Sequence, residues 1–359
     1  MLAADYRGPR RMRVASKADP VIQHPRDAIV RVTRSCICGS DLHLYNGLVP
    51  DTRIGTTFGH EFCGIVEEVG PEVQTLKAGD HVLVPFNIAC GQCHFCKQGL
   101  FGNCHESNPQ ATAVGGIFGY SHTAGGYDGG QAEYVRVPYA DVGPMPIPDW
   151  MDPDDAVLLT DVVPTGYQAA EMGGIQMGDT VVVFALGPIG LCAVAGAKLM
   201  GASTIIGVDT VPERLAVARR LGADHVVDFK AGDPVEQIMA LTDGRGVDVA
   251  IEALGTQSTF TSSLRVLRPG GTLSSLGVYS RDLTIPLDAF AAGLGDKTIV
   301  STLCPGGKER MRRLMNVVAS GRLDLKPLVT HRFRLDQIEE AYDLFAHQRD
   351  GVLKVAITP

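Results

Sequence analysis

Apolar and polar positions along this chain follow two rhythms, and the change falls near residue 150. In the first part, short β-branched runs alternate apolar with polar residues and are bounded by Gly or Pro. Examples are AIVRVTRSCICG (28–39), GIVEEVG (64–70), DHVLVPF (80–86) and AEYVRVP (132–138). Alternation at period two sets one face of each run on a core and leaves the other polar. These runs are therefore expected to be short, mostly antiparallel strands of a compact β-barrel-like domain. Residues 87–131 are rich in Gly and His without a sustained period and read as loops, and PMPIPDWMDP (144–153) reads as a linker.

Beyond the linker, apolar runs alternate with helical patterns. TVVVFAL (180–186), TIIGVD (204–209), HVVDF (225–229), VDVAIEAL (247–254) and TLSSLGV (272–278) are expected strands. Between them lie the expected helices PIGLCAVAGAKLMG (188–201), PERLAVARRLGA (212–223), PVEQIMALTDG (234–244) and FTSSLRVLRPGG (260–271), the last stopped by its Pro and Gly residues. Such alternation builds an α/β, doubly wound parallel sheet. A helix (309–321), a strand (330–335), a helix (336–348) and a terminal strand (352–357) complete the pattern.

Composition narrows the class. At 359 residues the chain has room for two cores, and 45% hydrophobic against 20% charged residues leaves no disordered tract. A net charge of −8 argues against nucleic-acid partners and anionic membrane surfaces. The apolar uncharged run 181–197 is interrupted by Gly187, Pro188 and Gly190 and is short for a bilayer span. The start, MLAADYRGPRRMRV, has no apolar core of a signal peptide, so nine cysteines point to a reducing cytoplasm.

Four of those cysteines, Cys90, Cys93, Cys96 and Cys104, lie in CGQCHFCKQGLFGNC at spacings that close round one tetrahedral zinc. The alternative, two disulfides in a secreted loop, conflicts with the compartment. A second set lies upstream. In CGSDLH (38–43), Cys38 is a candidate thiolate ligand, and Asp41 suits a partner to a ligating histidine. Ser40 and His43 suit proton transfer. FGHEF (58–62) adds His60 as an imidazole ligand and Glu61 as a nearby carboxylate, while Asp161 in LLTDVVPTGY is the best acidic third ligand. Cys36 reads as a buried small hydrophobe. A cluster of sulfur, imidazole and carboxylate suggests a metal that keeps one position open for chemistry.

The first strand–helix turn reads ALGPIG (185–190), with Ala185 where a strict G-x-G-x-x-G has glycine. Gly187 and Gly190 still allow close approach to a pyrophosphate, and the amides of the turn Gly187, Pro188, Ile189, Gly190 open a helix that favours anions. Asp209 ends the next strand, nineteen residues beyond Gly190, where a carboxylate binds a ribose 2′-hydroxyl and favours NAD over NADP. Its other reading is a cap for the helix from Pro212. Arg214 would neutralise a 2′-phosphate, or lie on a solvated helix face.

CGSDLH, GHEFCGIVEEVG (59–70), the four-cysteine run, ALGPIG and GVD (207–209) together resemble the zinc-dependent medium-chain alcohol dehydrogenases over essentially the full length. GGQAEYVRVPYAD (129–141) and LLTDVVPTGYQAA (158–170) look like the formaldehyde-dehydrogenase-like branch, and LCPGGKERMRRL (303–314) and DLKPLVTH (324–331) like bacterial secondary-alcohol dehydrogenases. The resemblance implies a GroES-like β-barrel catalytic domain (1–162 and 301–359) around a Rossmann domain (163–300). It implies a catalytic zinc on Cys38, His60 and Asp161, a structural zinc on the four cysteines, and Glu61 able to approach the catalytic metal. It places Thr165 near the nicotinamide, Val278 at the cofactor and Lys354 at the pyrophosphate, and it implies a homotetramer, with a homodimer as the alternative.

The expected activity is reversible hydride transfer between a small-molecule alcohol and NAD, the proton leaving by Ser40 and His43, with or without a ribose hydroxyl between them. Two other readings stand beside it. One is a formaldehyde or aldehyde dehydrogenase or dismutase whose loop 105–131 retains NAD; the other is a non-catalytic zinc redox sensor using Cys36, Cys38 and Cys63. The substrate pocket is not legible in the sequence, because its lining comes from scattered positions; Leu48, Phe58 and Cys304 are no more than guesses.

Overall fold

A computed structural model describes residues 1–110 and 113–359 and divides into two compact units. One comprises Met1–Asp161, Pro305–Ala319 and Leu325–Pro359; the other comprises Val162–Cys304 and Ser320–Asp324. The expected loop 105–131 includes residues 111 and 112, which lie outside the described residues.

The first unit is built on a sheet in the order Val329–Arg334, Lys354–Thr358, Ala28–Ile37, Phe62–Val69, His81–Val84, Met145–Pro146, with Tyr134–Val137 also paired to Ala28–Ile37. Only the pair Val329–Arg334 and Lys354–Thr358 is parallel. The chain's last strand thus lies against its first long one, with Val355 opposite Ile37 and Ala356 opposite Cys36. The alternating pattern read from 28–39 supplies Ala28, Val30 and Val32 to one core with Phe62, Val66, Val82 and Val135. A second core gathers Ile37, Leu44, Phe58, Val355 and Ile357 with Ile338, Tyr342 and Phe345 of helix Ile338–Ala346. A hairpin of Leu2–Tyr6 and Met12–Ser16, which the sequence reading left unassigned, adds Ala4, Tyr6 and Met12 to that core.

The second unit is a six-stranded, all-parallel sheet. Its order is His225–Asp228, Thr204–Asp209, Thr180–Phe184, Val247–Glu252, Leu267–Ser275, Thr298–Ser301. Numbered along the chain this is 3-2-1-4-5-6, the doubly wound order whose switch point lies between the first and fourth strands. The strand Thr298–Ser301 goes beyond the five expected. The segment 260–271 is not one helix: a helix spans Gln257–Arg265, and Leu267 already begins the next strand. A register shift opposite Val247 and Val249 accommodates Pro269, Gly270 and Gly271, so the prolyl residue meets a bulge where its missing N–H costs no ladder bond.

Helix Val162–Met172, also unexpected, packs closely on helix Pro188–Met200. A Cβ at Gly166 would stand 2.5 Å from Cys192 Cβ and 2.7 Å from the Ile189 carbonyl oxygen, so only glycine fits there. That contact uses the small-residue face of the second helix.

Candidate active site

The site in the first unit grows from neighbouring strand ends. Ala28–Ile37 delivers Cys38, and the following turn is tied by Cys38 N donating to Asp41 Oδ2 at 3.0 Å before the short helix Asp41–Tyr45. His60 and Glu61 precede Phe62–Val69, held by Cys36 N donating to the Glu61 carbonyl at 3.1 Å. Asp161 follows helix Pro153–Leu158, whose start is capped by Asp152. Asp154 of that helix pairs with Arg34 at 2.7 Å and Arg332 at 2.6 Å, pinning the segment leading to Asp161 onto the strand leading to Cys38.

Three donor atoms converge. His60 Nε2 lies 3.3 Å from Asp161 Oδ2, and Cys38 Sγ lies 3.7 Å from the same oxygen. With one Glu61 oxygen, all ligand atoms fall within 4.8 Å of one another, and all four residues are buried. Zinc bond lengths and a tetrahedral angle require about 3.3 Å between nitrogen and oxygen donors and about 3.6 Å between sulfur and oxygen. The cluster therefore fits the ion. Its charge balance asks for one as well: Cys38, Asp41, Glu61 and Asp161 crowd together, with Lys354 paired to Glu61.

Asp41, fully buried, sets the imidazole. Its Oδ1 lies 3.3 Å from His60 Nδ1, which places the ring proton there and turns the Nε2 lone pair toward Cys38 and Asp161. Burial works against a charged His60, but the charge of Asp41 and the bond to Asp161 outweigh it and hold the imidazole proton well above the ordinary range. Glu61 is pushed up to about 7 by burial, with Lys354 opposing. Burial alone would discharge Lys354, yet Cys38 and Glu61 overcome it and keep the ammonium charged.

Lys354, which the resemblance implies at the pyrophosphate, also has a partner beside the donor cluster. It sits in strand Lys354–Thr358, fully buried, in an ion pair with Glu61.

Ser40 Oγ lies 3.4 Å from His60 Nε2, beside the donor triangle. His43 stands three residues on in the same short helix, half-buried, and burial lowers its pKa. Among the described residues no side-chain hydrogen bond joins the two. Phe86 and Tyr120 meet the His60 ring edge-on at 6.3 and 6.5 Å and wall the site with aromatic surface. Of the three residues guessed for the pocket, Leu48 is exposed, Phe58 is fully buried and stacked on Tyr6 at 5.1 Å, and Cys304 is buried.

The four-cysteine segment forms its own small core with Ala89. Cys90 and Cys96 sulfurs lie 3.9 Å apart and Cys93 and Cys104 sulfurs 4.0 Å apart. A disulfide needs about 2.05 Å, whereas four sulfurs on one zinc stand about 3.8 Å apart. Backbone amides of Gln92 and Cys93 donate to Cys90 Sγ, and that of Cys90 to Cys104 Sγ, as thiolates require. The Cys93 thiol is lowered to about 6: burial raises it, but hydrogen bonds from the Cys96 and His105 amides prevail.

In the second unit, Ala185 adopts φ 71° and so performs the left-handed turn expected of glycine, at a cost of about 1–2 kcal/mol. A Cβ on Gly190 would lie 1.9 Å from the Ala185 carbonyl oxygen, which fixes that glycine. Gly187, Pro188 and Ile189 open helix Pro188–Met200, partly exposed. Asp209 Oδ2 accepts from Leu186 N at 2.8 Å, and Oδ1 from the amides of Thr210 and Val211. Asp209 therefore clasps the turn; the helix cap itself is Val211. Arg214, instead of facing solvent, approaches Asp209 Oδ2 at 3.6 Å. Thr165 is half-buried in helix Val162–Met172, and Val278, past its strand, is half-exposed.

Sequence reasoning missed Gln131 and Tyr342. Gln131 Nε2 donates to Asp41 Oδ2 at 3.3 Å, and Tyr342 donates to Gln131 Oε1 at 2.9 Å. No spacing signal exists for residues so far apart in the chain.

Comparison with known proteins adds family evidence. Residues 24–149 match the model for an alcohol dehydrogenase GroES-like domain, and residues 188–320 the model for a zinc-binding dehydrogenase. An alcohol dehydrogenase of Cupriavidus necator is 52% identical over 100% of this chain and 99% of its own. An NADP-dependent isopropanol dehydrogenase of Thermoanaerobacter brockii is 36% identical over 93% of each chain. The solved alcohol dehydrogenase TADH of Thermus sp. ATN1 superposes with a TM-score of 0.90 at 35% identity, covering 100% and 99% of the two chains.

Proposed function

The chain belongs to the zinc-dependent medium-chain alcohol dehydrogenase family, and from that premise we propose that it interconverts an alcohol with its aldehyde or ketone, using zinc at Cys38, His60 and Asp161 and NAD in preference to NADP. Zinc and a nicotinamide cofactor follow from the family; the ligand set and the preference for NAD are the proposal. The donor triangle of Cys38, His60 and Asp161 carries it. Metal analysis alongside NADH formation on a panel of primary and secondary alcohols tests it. About two zinc ions per chain with turnover is expected; turnover surviving complete removal of metal would sink it.

Zinc held by Cys38, His60 and Asp161 would supply a Lewis acid for the substrate oxygen, and a bound nicotinamide would supply the hydride acceptor. The chain's residues do the rest. Asp41 holds His60 in the one tautomer that leaves Nε2 free. Ser40, beside Nε2, is placed to take the alcohol proton, and His43 passes it toward solvent. Glu61, kept near by Lys354, is the spare carboxylate. Phe86 and Tyr120 exclude water from one side, which strengthens every charge interaction inside.

His43 is neutral over a wider range than an ordinary histidine because burial disfavours its cation. Alcohol oxidation should therefore hold steady from high pH down to below 6.5 and fall once the imidazole protonates. His43→Gln should lower kcat about 10-fold and flatten that acid limb. An unchanged pH profile would remove His43 from the proton path.

Asp209→Gly should shift the ratio of kcat/KM for NAD over NADP toward NADP by about 10-fold or more, because a carboxylate repels a 2′-phosphate. Arg214 already tempers that repulsion at 3.6 Å. The relative from T. brockii is named NADP-dependent, so NADP use occurs among relatives of this chain. No movement of the ratio would reject the ribose contact.

A redox sensor is disfavoured by burial, which raises the Cys36 thiol and takes Cys63 up to about 12. Sensor thiols need the opposite. A cytoplasmic location, consistent with nine free cysteines, and a homotetramer, testable by sedimentation, complete the proposal. Among the described residues no helix is long and apolar enough to cross a membrane.

A further inference from the structure

We infer that Gln131 and Tyr342 are positioning residues for the catalytic metal: buried hydrogen bonds run from the C-terminal helix through Gln131 to Asp41, whose other carboxylate oxygen faces His60 Nδ1 at 3.3 Å and so orients the imidazole that binds it. The inference rests on the zinc reading of the site.

The direction of every bond in the chain is set by chemistry. The carbonyl of Cys36 can only accept, and it lies 3.0 Å from Gln131 Nε2, so the amide nitrogen must face it. The same nitrogen donates to Asp41 Oδ2. That leaves Gln131 Oε1 to accept from the Tyr342 hydroxyl. Asp41 Oδ2 thus receives two donors, Cys38 N and Gln131, while Oδ1 faces His60 Nδ1. A carboxylate with one oxygen saturated by fixed donors cannot rotate away from the imidazole. Gln131 and Asp41 are both completely buried, and so is Tyr342. Water therefore cannot replace a lost member, and its partner is left unsatisfied.

Packing fixes the far end. Tyr342 stacks on Tyr45 at 5.0 Å and meets Phe58 edge-on at 6.5 Å, and Tyr45 belongs to the helix that begins at Asp41. Gln131 is fastened by its own backbone: its carbonyl accepts from Ala4 at 2.7 Å and its amide donates to the Phe58 carbonyl at 3.1 Å. The chain ends in rigid structure on both sides, which is what an orienting group requires.

The test is metal release. Tyr342→Phe removes one oxygen and keeps the ring; Gln131→Met keeps the volume and removes both polar atoms. Full-length protein holding both zinc ions is challenged with excess chelator, and zinc loss is followed with time. Loss from the Cys38 site should quicken about 3- to 10-fold in Tyr342→Phe and about 10-fold or more in Gln131→Met, with loss from the four-cysteine site unchanged. Phe345→Leu, a core change in the same helix that removes no hydrogen-bonding group of the chain, serves as control and should leave both rates at the wild-type value. Wild-type release from both variants overturns the inference, as does equal acceleration in Phe345→Leu. If the wild-type protein holds zinc only at the four cysteines, the zinc reading fails first and takes the inference with it; that count is made before any variant is compared.

Discussion

Turnover disappears in His60→Ala, by a factor of about 1,000 or more, while the protein still folds, still binds nicotinamide nucleotide and still holds one zinc. The size follows from the geometry. Removing the imidazole deletes one of three donors within 4.8 Å of one another and leaves Asp41, fully buried, without its partner. Cys38→Ser should behave alike, since an alcohol oxygen replaces the thiolate. The residual zinc belongs to the four-cysteine cluster, which shares no residue with the first. Metal analysis, nucleotide binding by fluorescence and steady-state rates on one sample decide the matter. Undiminished turnover, or loss of both zinc ions together, contradicts two independent sites.

Lys354→Met gives the largest loss of stability, about 3–5 kcal/mol by chemical denaturation. The lysine and Glu61 are both wholly inaccessible to solvent and paired to each other. Removing the ammonium strands a carboxyl group that burial has already raised to about 7, beside Asp161. Glu61 is then expected to take up a proton on folding, so the deficit grows as pH rises above about 7 and shrinks below it. The double variant Lys354→Met with Glu61→Gln should recover about half or more of the loss, because neither charge is then left unpaired. Equal destabilisation in the single and double variants would mean that the lysine contributes through packing, not charge.

Much of this was legible along the chain. The four cysteines lie within fifteen residues, and Cys38, His60 and Asp161 each stand in a recognisable local motif. Asp41 as the partner of His60 followed from its closeness to Cys38, which bars it from ligating beside that thiolate. The parallel strands from 180 to 252 showed as apolar runs of the right length because both their faces are buried.

Other features were decided only by what meets in space. Proline and two glycines after Arg265 carry the local signature of a loop, yet a neighbouring strand with free backbone groups drew them into the sheet. That the lysine of the terminal strand meets Glu61 follows only from antiparallel pairing of that strand with Ala28–Ile37, which carries it inward. Sequence alone determined which ligands exist and which local turns present them, because thiolates, imidazoles and glycines are specified by residue type within a few positions. Tertiary structure alone decided which buried charges neutralise one another and that Gln131 and Tyr342 stand behind His60. Hydrogen bonds and ion pairs between residues 90, 211 or nearly 300 positions apart leave no periodic trace in the chain.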